Sequence, residues 1–392
     1  RAMAHTDVLR MNREEIQVKK AKLASEDPRE RAAAASDLAS YGRSAAAYEG
    51  LAGAVAELLR DGNADVRATA CNVLAEMGEA AMPYVDLVLE RLRDDHFGVR
   101  QLAISASGVL GAGRSQGRRV GEALARELER EDGAQAMVLR SLGMVGVEPH
   151  LGRVAQLLAS KHLEVRCAAL TCLAGAREGA AEAHADAIAD RLNEPLARRQ
   201  AFAALARLGP AAAPHVPELV SFLEDGDHAT RQAAVDALGA VADFVEQDSV
   251  EVIAELLSHH NPSFRAAAAA ALGRLGEARA GHLADDVAKL LFDEERWEEP
   301  RDAEPDLDME AWGRPGPLRL LKGSLPSRPC CAAARALAQL GESGRRHAIA
   351  VAAQCAASFD PEMKLAAMEA LGAMGERGAG YAQKVAACLS ER

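Results

Sequence analysis

Phe264-Arg265-Ala266-Ala267-Ala268-Ala269-Ala270-Ala271-Leu272-Gly273-Arg274-Leu275-Gly276 is the stretch on which the fold turns. Read as a helix, it groups Arg265, Ala268, Leu272 and Leu275 on one side and leaves Ala270 and Arg274 on another, because residues three and four apart share a face. Asn261 and Pro262 stand just before it. They read as an N-cap and a first-turn proline, whose missing N–H costs nothing there. Gly276 closes the stretch where a left-handed residue would end a helix. A helix this small cannot bury its apolar stripe unaided.

The same spacing recurs along the chain. Anchors at Arg31, Arg67, Arg100, Gln135, Arg166, Arg198, Arg231, Arg265, Cys330 and Lys364 are followed seven residues later by Leu in every case except Ser107. Gly often follows at plus eight, and stands at plus eleven except at Arg177 and Ala242. The anchors lie 31 to 36 residues apart, apart from one gap of 65. Each period reads as two helices joined by a turn: Met82–Leu92, then Asp94 to Gly98, then Val99–Leu110. Pro28, Pro195, Pro262 and Pro361 each sit three residues before an anchor, with Asp27, Asn261 and Asp360 as caps; Asp27 with Glu30 reads as a capping box. A pair of helices this thin is stable only when stacked on its copies.

Asp65-Val66-Arg67-Ala68-Thr69-Ala70 and Phe264-Arg265-Ala266-Ala267, the latter followed by Ala271-Leu272-Gly273-Arg274-Leu275-Gly276, resemble HEAT repeats. They are most similar to the short kind first described in phycobilisome lyases. The resemblance covers residues 26–292 and 327–390. It implies an all-α, right-handed α-α superhelix (a HEAT/armadillo-like solenoid) of about ten helix pairs, and a role as scaffold or adaptor. The expected organisation is a capping helix in 1–25, repeats one to eight in 26–292, an insertion in 293–329, and repeats nine and ten in 330–392.

Composition agrees. The chain of 392 residues is rich in Ala and only 3% aromatic, which suits thin, closely packed helical layers. Its net charge of −12 argues against nucleic acid, whose binders carry a basic excess. The seven cysteines are odd in number and form no Cys-x-x-Cys pair. That favours a cytoplasmic or other reducing intracellular compartment. No uncharged run is long enough to span a bilayer, so a membrane partner is not expected.

The 65-residue gap holds the insertion. Ten acids and two arginines fall between Asp293 and Glu310, a net of −8, and Pro300, Pro305, Pro315, Pro317, Pro326 and Pro329 oppose a long helix. Both tryptophans, Trp297 and Trp312, lie here. The segment reads as a solvated acidic loop, as a partner-binding or groove-covering loop anchored by Trp, or as a decayed repeat in 308–325.

Motifs for chemistry are missing: no nucleophile elbow, phosphate-binding Gly-Lys-Ser/Thr loop or His-Glu-x-x-His. His96, His162, His228, His259 and His260 fall in turns within repeats; only the neighbours His259 and His260 could act together, and two ligands are too few for a metal. The vicinal thiols Cys330 and Cys331 read as inert. No catalytic, cofactor or metal residues are therefore assigned. The anchor arginines read as a structural ladder to turn acids such as Asp61, Asp65, Asp95 and Asp225. On the second helices, plus five and plus nine face outward, including Arg140, Arg207, Arg274 and Arg335. These arginines, with Trp297 and Trp312, are the expected partner-binding residues. The expected function is a non-enzymatic protein-interaction scaffold, with a phycobilin-presenting chaperone or a nucleic-acid binder as alternatives.

Overall fold

The computed structural model describes residues 13–39, 50–113, 115–131, 133–177, 179–293, 295, 328–381 and 383. The regular elements among them are helices, and none is long and apolar enough to cross a membrane. They fall into two compact units, Arg1–Arg191 and Leu192–Arg392. In the first unit the anchor-bearing second helices are α1 (Pro28–Ala39), α2 (Ala64–Met77), α3 (Phe97–Gly111), α4 (Gln135–Val145) and α5 (Leu163–Gly175). In the second unit they are α6 (Pro195–Leu205), α7 (His228–Ala240), α8 (Pro262–Leu275), α9 (Pro329–Gln339) and α10 (Pro361–Ala373). Within each unit every second helix packs on the next in chain order, which is the all-α solenoid arrangement the spacing implied.

The first helix of the Arg100 pair is shorter than the sequence suggested. Met82–Leu92 is not one helix: Gly78–Tyr84 is 3-10, Val85–Glu90 is α, and Arg91–Arg93 is again 3-10. Pro83 lies inside the opening 3-10 turn, where it withholds an N–H from a longer α-helix. The same α-then-3-10 pattern appears in Leu151–Gln156 with Leu157–Ala159, and in Gln247–Glu255 with Leu256–Ser258. The second helix of the Arg100 repeat also begins earlier than expected, at Phe97.

Each column of the repeat has a physical role. The described Leu residues at plus seven are buried, the most exposed being Leu371 at 3%. Ser107, the exception, is equally buried, and its Oγ has no hydrogen-bond partner. Gly at plus eight lets neighbouring second helices touch: a Cβ on Gly273 would lie 2.7 Å from Ala336 Cα, and one on Gly108 would lie 2.9 Å from Ser141 Cβ. At plus eleven the expected left-handed cap is corrected in detail. Gly276 has φ 76° and ψ −178°, an extended positive-φ conformation that is essentially confined to glycine. Gly111 instead continues α3, and the turn falls to Gly113 at φ 64°.

Prolines 28, 195, 262 and 361 begin α1, α6, α8 and α10 as expected. Asn261 Oδ1 accepts the Ser263 N–H at 2.9 Å, and Asp360 Oδ1 accepts the Glu362 N–H at 3.3 Å. The capping box at Asp27 is different. Asp27 accepts the Arg29 N–H, while Glu30 accepts the Ser25 hydroxyl at 2.6 Å rather than reaching back to the Asp27 N–H.

The arginine ladder links consecutive repeats. Arg31 donates to both Asp61 oxygens at 2.6 and 2.8 Å, and Arg67 to both Asp94 oxygens at 2.8 Å. Arg198 reaches Asp225 at 3.0 Å, and Arg265 reaches Asp293 at 2.6 Å. In each case the acid lies in the hairpin turn of the following repeat. Asp65 and Asp95 stand beside this ladder, not in it; Asp94 takes the place expected of Asp95. The working position is six residues before the anchor, where the side chain also accepts the N–H two residues on: Asn63 to Asp61 at 2.8 Å, His96 to Asp94 at 3.0 Å. Ser160, His259 and Ser358 keep that turn bond without supplying a carboxylate. The arginine bonds hold Asp61 and Asp94 below the ordinary carboxylate range.

The insertion opens from one hairpin turn. Ala284–Lys289 and Leu290–Phe292 pack on α9, and the Cys330 N–H donates to the Asp293 carbonyl at 3.2 Å. Trp297, Trp312 and the remainder of 296–327 lie outside the described residues.

Candidate functional site

Plus five and plus nine of the second helices do face solvent. Asn72 and Glu76 on α2, Ser105 and Val109 on α3, and Arg140 and Met144 on α4 are all exposed. In the second unit this outward face becomes concave across α7, α8 and α9, where a groove of about 190 Å³ opens. Its floor is Ala266, Ala267 and Ala270 of α8 with Ala332 and Ala336 of α9. The floor is low because α8 and α9 meet at Gly273 and Ala336, and because α7 carries Gly239, over which the Arg274 side chain lies.

Arg274 and Arg335 border this floor together with Gln339. Their side chains are 47% and 36% exposed. Arg274 Nη2 lies 3.6 Å from Asp236 of α7, and Arg335 Nε lies 3.0 Å from Glu369 of α10. Both are solvent-exposed pairs, a kind worth about 0–1 kcal/mol, so a ligand can compete for either arginine. At the far end lie His228, Arg231, Gln232 and Ser263. Arg231 Nη1 donates to the carbonyls of Asp225 and Gly226 at 2.7 and 2.8 Å, and its guanidinium lies 5.8 Å from the Phe264 ring centre. Ser263 is 5% exposed, and its Oγ has no hydrogen-bond partner among the described residues.

Of the six residues singled out from the sequence, the structure brings two together, Arg274 and Arg335. Arg207 is exposed but follows the end of α6 at Leu205, so it does not line the groove. Arg140 belongs to the other unit, and the two tryptophans are not described. Sequence reasoning missed Ser263 and took Arg231 only as a ladder rung. The position two before the anchor holds Asp65, Gly98, Glu164 and Ser263 in different repeats, so no column pointed to Ser263.

Two groupings invite metal or thiol chemistry. Ligand atoms of Cys331, Asp360 and Glu362 come within 4.8 Å of one another. Asp360 is already engaged as the α10 cap and with Arg328 at 3.1 Å. The adjacent Cys330, whose sulfur lies 4.0 Å away, and then burial push the Cys331 thiol up, which opposes thiolate ligation. His259 and His260 stack at 4.1 Å, and His259 Nδ1 accepts the Asn261 N–H. These are structural engagements.

A family model for HEAT repeats matches residues 17–108 and 216–299. The chain is built of HEAT repeats. Among solved structures, this HEAT-repeat chain is similar to an engineered protein at 21% identity and TM-score 0.52, covering 93% of this chain and 99% of that one. It is also similar to importin beta at 15% identity and TM-score 0.60, covering 93% and 52% respectively. A third is the karyopherin Kap121p bound to the extreme C-terminus of the protein phosphatase Cdc14p, at 15% identity and TM-score 0.55, covering 94% and 42%. At these identities the likeness is one of fold. The chain spans about half the length of the karyopherin-type chains it matches, 52% and 42%. No curated protein matches it.

Proposed function

We propose that this HEAT-repeat chain is a non-enzymatic scaffold that binds another protein on the exposed face of its second helices, with the α7–α9 groove as the principal contact. The observation that carries this reading is the groove itself. Two arginines engaged in exposed ion pairs border an alanine floor on which a peptide backbone can lie close. Solenoids present extended surfaces of this kind because every repeat contributes the same outward positions. Kap121p, similar in fold, has been solved with a protein C-terminus bound. Motif chemistry for catalysis is lacking in the sequence, and Asp360 of the described acid–thiol grouping is engaged as a helix cap, which supports a binding role over a catalytic one.

A bilin-presenting chaperone draws no support from this groove: about 190 Å³ falls short of the roughly 300–1,000 Å³ typical of small-molecule sites. The test is site-specific photocrosslinking in cells of origin. A benzophenone amino acid at Gln339 should capture a discrete protein partner, and one at Val252, on the first helix Gln247–Glu255, should not. Equal capture from both positions, or capture from Val252 alone, overturns the assignment of the face.

A further inference from the structure

The groove is selective in charge. The described side chains that line it include Arg231, Arg274, Arg335 and His228, and no Asp or Glu is among the described lining residues, although the whole chain carries a net charge of −12. Asp236 and Glu369 beside it are the exposed partners of Arg274 and Arg335, and Asp227, which feels the charge of Arg231, adjoins His228 at the other end. A basic or neutral peptide would meet like charge or forfeit those contacts. An acidic one would exchange carboxylate for carboxylate at both arginines.

Ser263 adds an independent sign. Ser263 is a lining residue of the groove, and its hydroxyl, shut from water, finds no acceptor or donor among the described residues. A buried polar atom left so is costly, and a carboxylate is the acceptor-only group that a hydroxyl satisfies. The space of about 190 Å³ is well above the roughly 30 Å³ of one water and admits a side chain. Nucleic acid suits it less, since among the described residues no Phe, Tyr or Trp lines the groove to stack a base.

We propose that the α7–α9 groove docks an acidic peptide segment of a partner protein, one carboxylate reaching Ser263 while others displace Asp236 and Glu369 from Arg274 and Arg335. This rests on the scaffold reading and names the chemistry of its partner.

Random peptides displayed on phage are selected against the full chain. The enriched peptides, labelled with fluorescein, are then titrated by anisotropy against four proteins: the parent, R274E/R335E, S263A, and a chain whose acids between 298 and 310 are changed to their amides. The expected result is enrichment of peptides rich in Asp and Glu that bind the parent. Their affinity falls roughly tenfold or more in R274E/R335E, as two charge-assisted contacts become repulsive, and several-fold in S263A. Circular dichroism of R274E/R335E guards against unfolding, and S263A supplies a second readout if that variant is damaged.

Enrichment of neutral or basic peptides, or of none, overturns the proposal. So do acidic peptides whose affinity is unchanged in both R274E/R335E and S263A. Acidic peptides that bind only the amide variant would make the chain's own acidic segment the occupant, and would overturn the partner assignment. Failure here with intact crosslinking from Gln339 removes the acidic chemistry and leaves the scaffold reading standing.

Discussion

Removing the charge of Asp94 while keeping its shape isolates the ladder. In the native chain Asp94 accepts two bonds from Arg67 at 2.8 Å, one from the His96 N–H at 3.0 Å, and has Arg91 Nη1 at 3.7 Å. Its side chain is 4% exposed and that of Arg67 is 14% exposed. Asp94→Asn keeps Oδ1 for the His96 N–H, so the turn survives and the loss reports on Arg67. Breaking a buried pair from one side costs about 3–5 kcal/mol, because the remaining charge is stranded. Arg67 retains the Asp61 and Gly62 carbonyls at 2.9 and 3.3 Å and some solvent, which places the expected loss at the lower edge, about 2–3 kcal/mol. Urea unfolding followed by circular dichroism measures it. A cycle with Arg67→Met should then give a coupling of about 1.5–3 kcal/mol, since contacting residues in one network are strongly non-additive. Hydrogen exchange should rise most in α2 and α3. A loss under about 0.5 kcal/mol, in the range of ordinary surface substitutions, or a coupling near zero, would refute the view that the ladder joins repeats.

Acid should weaken the same contacts. Asp61 and Asp94 sit below the ordinary carboxylate range of about 3.9 in the fold. The unfolded chain therefore takes up their protons first, and their stabilisation, complete above about pH 4, is lost as pH falls through the native values; thermal melts from pH 5 to 3 should show this, and a D61N/D94N variant should respond less steeply. Gly273→Val places a Cβ 2.7 Å from Ala336 Cα, and overpacking of this kind costs about 1–3 kcal/mol; an unchanged Tm would sink that account of the plus-eight glycine. Ser107→Ala removes a buried hydroxyl that has no partner, so it should leave stability unchanged or raise it by about 1 kcal/mol, again read from urea unfolding. Burial pushes the Cys71 and Cys172 thiols up to about 12, so iodoacetamide at pH 8 should label them slowly in the folded chain and rapidly in denaturant, as intact mass will show.

What the sequence revealed and what it concealed divide along one line. Columns that repeat were legible: Leu at plus seven, Pro before the anchor, Gly at plus eleven. The ladder was half legible, because Asp61 and Asp225 stood out but Asp94 hid behind Asp95. Its rule became visible only with the turn geometry, which aims the residue six before the anchor at the preceding repeat. In seven repeats that position holds Ser25, Asp61, Asp94, Ser160, Asp225, His259 and Ser358, united by hydrogen-bond acceptance rather than by residue type, and in the others Glu129, Leu192 and Ser324. The groove was legible only as a face. That Arg274 and Arg335 meet while Arg207 does not depends on α6 ending at Leu205, and Ser263 belongs to no column at all.

The division of labour follows from the repeat itself. Stability is assigned to the buried Leu column, to the glycines that bring second helices together, and to the turn ladder at the edge of the stack. None of these uses plus five or plus nine. Those positions are thus free to differ from repeat to repeat without loss of fold, and they do: Asn72, Ser105, Arg140, Thr171, Ala203, Asp236, Ala270 and Arg335 are successive choices at one geometric site. In the second unit the Gly at plus eight has a second effect. Gly273 draws α8 onto α9, and Gly239 gives the Arg274 stem room to lie flat against α7. The residue type that stabilises the stack therefore also lowers the floor between two arginines. A substitution such as Gly239→Val should then move Arg274 away from the groove and weaken a bound acidic peptide beyond any loss of stability, whereas the same change at Gly108, remote from these arginines in sequence and unit, should cost stability alone.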